Sequence, residues 1–144
     1  MATPLRFPTD WPKVIKPHFL IGLPVVGAQE PVYRELCEQL SSRTAECWRR
    51  WGKSQPRIEL AQFLAKQLGE AADWPNAIFL PEDPFILVAW DHDSCAIDDL
   101  AVLSALETVS EHAGLPRKSI NWSRFESNSV GEVVDHLLRA SDAA

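Results

Sequence analysis

The 144-residue chain has no apolar run that reaches the roughly 18–20 residues a membrane-spanning helix requires. Its opening, Met1-Ala-Thr-Pro-Leu-Arg-Phe-Pro8, lacks the apolar stretch of a secretory signal, so the expected location is the cytoplasm. Cysteine is scarce. Cys37, Cys47 and Cys95 are odd in number and far apart, which argues against a disulfide framework. No Cys-x-x-Cys spacing is present to build a zinc site. There is no phosphate-cradling glycine loop, no dinucleotide fingerprint, no internal repeat and no low-complexity tract.

What is present fits a soluble globular chain. Apolar residues make up 46% and charged residues 24%, and six tryptophans supply large surfaces for a core. The net charge of −6 is divided unevenly. Residues 1–53 hold eight Lys/Arg against five Asp/Glu, a net of +3. Residues 54–144 hold six against fifteen, a net of −9, which would repel nucleic-acid phosphates. Such a segment suits a basic protein partner, or simply keeps a small domain in solution.

Residues 1–29 carry Pro4, Pro8, Pro12, Pro17 and Pro24, which exclude a long helix there. The apolar run Phe19–Val26 reads as a short strand or an extended segment laid on a core. Pro31 suits the first turn of a helix expected to run to about Trp51 and to stop at Gly52. Gln55-Pro56 opens a second helix, with an apolar stripe of Ile58, Ala61, Leu64, Ala65, Leu68 and Ala72. Phe85–Trp90 is short, β-prone and preceded by proline, and reads as a buried strand or as a loop pinned into a helical core. Asp98 and Asp99 suit the first turn of a third helix, which has Leu100, Leu103, Leu106 and Val109 in its apolar body and stops at Gly114. Ser129 and Glu132 form a capping box that starts the last helix, whose apolar face is Val130, Val133, Val134, Leu137 and Leu138. The expected organisation is a proline-rich segment with a Trp/Arg-bearing helix over 1–53, followed by a helical domain over 54–144.

Residues 56–140 resemble an acyl carrier protein. The likeness rests on the order of elements and on three motifs. The loop Ile78-Phe-Leu-Pro-Glu-Asp-Pro-Phe85 runs on to Asp91-His-Asp-Ser-Cys95, Ala105-Leu-Glu107 lies late in the next helix, and Ser129-Val-Gly-Glu-Val-Val134 opens the last one. The resemblance implies a mainly α, acyl-carrier-like helical bundle, here with an N-terminal helical extension and a possible short β pair. It also implies a phosphopantetheine group on a serine at the start of an acidic helix that recognises basic partner enzymes. Ser94, preceded by Asp93, is the matching position. Counting back from Ala105-Leu-Glu107 lands instead on Ala96, and Cys95 stands where the family has leucine. Ser94 is therefore either the attachment site or a helix cap. Asp98, Asp99, Glu107 and Glu111 are the corresponding partner-binding residues.

Asp91–Cys95 also gathers an imidazole, two carboxylates, a hydroxyl and a thiol, the groups of nucleophilic catalysis and metal binding. Neighbours in an extended segment point in opposite directions, so proximity in sequence does not converge them. The expectation is a non-enzymatic protein that presents an acidic helix to a basic partner such as an acyl-chain enzyme. The alternative is a small bacterial interaction or immunity protein that blocks a partner such as a toxin and carries no prosthetic group.

Overall fold

The computed structural model describes residues 2–9, 11, 19–20, 23–24, 30–90, 97 and 99–143. Within them the protein is mainly α. Two-residue strands β1 (Phe19–Leu20) and β2 (Leu23–Pro24) pair antiparallel, with Leu20 opposite Leu23. The helices are α1 (Glu30–Ser41), α2 (Gln55–Ala71), α3 (Phe85–Ala89), α4 (Leu100–His112) and α5 (Val130–Ala143). Short 3-10 turns cover Ala45–Trp51 and Trp122–Phe125.

Three helix ends follow their sequence signals. Ser54 caps α2 by accepting from the Arg57 N–H, with Pro56 in the first turn. At its far end Asp73 takes a left-handed φ of 56°, and the Trp74 N–H reaches back to the Gly69 carbonyl at 3.0 Å. This reverse-turn closure lets Trp74 bury itself. The end of α4 repeats the device: Gly114 has φ 90° and the Leu115 N–H donates to the Ser110 carbonyl at 2.9 Å.

Three expectations are corrected. The helix expected from Pro31 to about Trp51 ends at Ser41 and resumes as a 3-10 turn. The break turns Arg43 inward, and the Asn76 side-chain amide donates to the carbonyls of Leu40 (2.7 Å) and Arg43 (3.0 Å) that flank it. Phe85–Ala89 is neither strand nor loop but a short helix buried on every side, which erases any helical period from its sequence. Leu100 does not join the apolar body of α4. Val102, Ala105, Leu106 and Val109 take the buried face, and Leu100, two residues before Val102, lies roughly 200° around the helix from it.

One core gathers residues from the whole length of the described chain. Leu5, Val32, Leu36, Leu40 and Trp51 join the inner faces of α2, α4 and α5, with Phe79, Phe85 and Trp90 fully buried at the centre. The α2 helix packs most extensively on α4 and also on α5. Two buried indoles are tied to backbone: the Trp51 ring N–H donates to the Phe79 carbonyl and that of Trp74 to the Val88 carbonyl, both at 2.9 Å. No helix among the described residues is long and apolar enough to cross a membrane.

Candidate functional site

The face of α4 that turns away from α2 is the surface the sequence singles out. Asp99 is its N-cap: one carboxylate oxygen accepts from the N–H groups of Ala101 (2.8 Å) and Val102 (3.0 Å). Its charge therefore sits on the positive end of the helix. Leu100 follows, 84% exposed. Leu100, Ser104, Glu107 and Glu111 are spaced by four, three and four residues, which places them in one line along the helix. The line is apolar at its start and acidic at its end.

The acidic end has an internal counter-ion. Arg117, on the loop after α4, reaches Glu107 with its Nε at 3.1 Å and Glu111 with an Nη at 2.7 Å. The Glu111 hydrogen bond and the Glu107 charge hold the guanidinium more firmly protonated than usual. Arg117 shields Glu107 in particular. At the last turn of the helix the His112 ring stacks on Phe63, with centroids 4.0 Å apart.

Ser94 and Asp98 lie outside the described residues, as do the other groups of Asp91–Cys95. Of the four acidic residues proposed from the sequence, the structure places Asp99 at the helix start as its cap and Glu107 with Glu111 on one side of its end. Sequence reasoning missed Arg117 as their partner. Its only signal was a cation six residues after Glu111, across a helix stop. The exposure of Leu100 was missed too, although the spacing of Val102, Ala105, Leu106 and Val109 already excluded it from the buried stripe.

A second constellation is buried. Arg43 and Asp83 form a two-pronged ion pair, with contacts of 2.6 and 2.8 Å. Arg43 also donates to the carbonyls of Ile78 and Thr3, while Asp83 accepts from the N–H groups of Leu5 and Leu80, each at 2.8 Å. Outside the pair itself these contacts all go to backbone, which is the pattern of a structural clamp rather than of a reactive group. Burial raises the Cys37 thiol and, together with the hydrogen bond that the Tyr33 hydroxyl donates to Cys37, pushes the Tyr33 phenol up to about 12, so neither is primed as a nucleophile. Among the described residues no group of three His, Cys, Asp or Glu side chains is placed to hold a metal ion. No family model, no curated protein and no solved structure matches this chain.

Proposed function

We propose that the protein is an acyl-carrier-like docking protein that presents the outer line of α4 to a basic partner protein. The observation that carries the reading is that line itself: exposed Leu100 beside the Asp99 cap, followed by Ser104, Glu107 and Glu111, on a helix whose opposite face is fully committed to the core. Three carboxylates against the single Arg117 leave it negative. The order of long helix α2, long connection, α4, 3-10 turn and capped α5 supports the carrier-like part of the reading. Ser94 precedes α4 by six residues and is the serine proposed to take phosphopantetheine; docking through α4 does not depend on that group. The alternative, a protein that blocks a partner through the same face, applies where Ser94 stays unmodified.

A phosphopantetheinyl transferase is a suitable probe, since such an enzyme must grip a carrier before modifying it. Wild-type chain is expected to bind it, more weakly as salt rises from about 0.05 to about 0.5 M, because exposed charges are screened. Leu100→Asp and Glu111→Lys should each weaken binding by about tenfold or more, the loss of about 1.4 kcal/mol. No binding, or binding that ignores both substitutions, overturns the docking surface. Intact mass after incubation with coenzyme A then separates the two versions. A gain in wild type that Ser94→Ala abolishes identifies a carrier, and no gain in either leaves the unmodified docking protein.

A further inference from the structure

Residues 2–9 are held through their backbone. Six hydrogen bonds from five side chains read their backbone. Arg50 donates to the Ala2 carbonyl and Arg43 to the Thr3 carbonyl, both at 3.0 Å. Asp83 accepts from the Leu5 N–H at 2.8 Å. The Gln39 amide does both at once, accepting from the Arg6 N–H at 2.8 Å and donating to the Arg6 carbonyl at 3.0 Å. Glu35 accepts from the Thr9 N–H at 3.2 Å.

Glu35, Gln39 and Arg43 are spaced by four, so they form a ladder along one side of α1 and just past its end. They meet Thr9, Arg6 and Thr3, spaced by three, and the segment thus runs antiparallel to the helix. A three-residue repeat is that of polyproline II, which Pro4 and Pro8 favour; those two residues have no N–H to leave unsatisfied. Leu5 fills a buried socket at 4% exposure, and Pro8 is buried as well. The end of the segment is anchored by Trp11, whose ring meets buried Trp90 edge-on at 5.4 Å. Open clefts of about 400 and about 690 Å³ border Ala2, one along Glu35, Glu38 and Gln39 and the other along Thr44, Cys47 and Arg49.

Backbone groups bound by side chains, with one apolar anchor and proline-set geometry, are how a folded domain recognises a peptide. We propose that the α1 ladder is a peptide-recognition groove, filled in cis by residues 2–9, whose partner in trans is the same segment of a second copy of this chain. The fit of that occupant is already on view, since every contact above can be remade by an identical segment from another molecule. In cis the segment enjoys an effective concentration in the millimolar range, so the closed monomer dominates when the protein is dilute. Reciprocal exchange at high concentration gives a two-fold dimer.

The test uses the full-length chain and a fluorescent peptide of residues 2–9. Leu5→Asp removes the apolar anchor of the cis segment and vacates the groove. The peptide should then bind that protein at least about tenfold more tightly than it binds wild type, because less of the groove is occupied. Adding Gln39→Ala, or placing Leu5→Asp in the peptide, should abolish the gain. Light scattering should find a dimer in wild type refolded at about millimolar concentration, where cis and trans segments compete, and none in Leu5→Asp. A folded Leu5→Asp protein that ignores the peptide, or wild type that stays monomeric throughout, overturns the proposal. Should Leu5→Asp fail to fold, hydrogen exchange on wild type decides. Amides of Leu5, Arg6 and Thr9 that open together ahead of the α2 and α5 core support a detachable segment, and amides that open only with the core overturn it.

Discussion

At the residue scale, the interaction with most at stake is Arg43–Asp83, at 5% and 0% exposure. Desolvating both charges costs several kcal/mol each, and their mutual attraction offsets this only because the remaining valences find backbone partners. Removing one partner strands the other. Arg43→Met is expected to destabilise the fold by about 3–5 kcal/mol, measured by urea unfolding; a loss under about 1 kcal/mol would mean that Asp83 finds other partners. Replacing both charges with apolar residues is no remedy here, because the Leu5 and Leu80 N–H groups and the Ile78 and Thr3 carbonyls would be orphaned. None of this was legible in the sequence. Arg43 and Asp83 are forty residues apart, and charged residues are the default occupants of a surface. The helix expected from Pro31 to about Trp51 would include Arg43, and it stops before that residue.

At the scale of elements, legibility followed chemistry that is local. The α5 start was readable because Ser129 and Glu132 cap each other within four residues. The Ser129 hydroxyl accepts from the Glu132 N–H at 3.2 Å, and the Glu132 carboxylate accepts from the Ser129 N–H at 2.9 Å. Hydrogen bonds donated to the carboxylate by the Ser129 backbone N–H and hydroxyl, with one from Asn128, hold the Glu132 carboxyl below its ordinary 4.5. A carboxyl depressed in the folded state contributes stability that is complete above its unfolded pKa and is lost as pH falls through the folded one. Ser129→Ala should cost about 0.5–2 kcal/mol at neutral pH. It should also flatten in part the stability profile below about pH 4.5, because the Ser129 hydroxyl is lost while the residue-129 N–H still holds the carboxylate. A profile whose acid limb is unchanged in Ser129→Ala would show that the hydroxyl does not govern Glu132. Where the deciding contact is distant, the sequence was silent. The run Phe85–Ala89 starts where the Phe85 N–H finds the Asn128 carbonyl, and its side chains are all buried, Phe85 against Trp122 and Phe125, facts with no local trace. In the same way, the early stop of α1 depends on Asn76 and Asp83, both far along the chain.

At the scale of the whole molecule, the uneven charge of the sequence acquires a second meaning. Among the described residues, the ion pairs of Arg43 with Asp83 and of Arg50 with Glu82 join the basic first 53 residues to the acidic remainder. Part of the charge complementarity that pointed to an outside partner is thus met within the chain, and the proposed docking line on α4 has only the charge that Arg117 leaves over. The same joint bears on organisation. Leu5, Val32, Leu36, Leu40 and Trp51 are buried in the core that α2, α4 and α5 complete, so neither portion can leave without exposing the other's apolar face. Small domains with a single core unfold in one cooperative step, whereas an appended extension would melt separately. Tryptophans report on both portions, with Trp51 and Trp74 buried on either side of the boundary. Urea unfolding followed by tryptophan fluorescence and by far-ultraviolet circular dichroism is therefore expected to give coincident midpoints and one slope. Midpoints separated by more than about 0.5 M urea, which at a slope of about 1–3 kcal/mol per molar amounts to roughly 0.5–1.5 kcal/mol, would identify two units of unequal stability. The outcome also bears on the groove along α1. A segment that detaches from an otherwise intact core leaves the main transition single, because Leu5 is one side chain among many and the remaining contacts hold α1 in place.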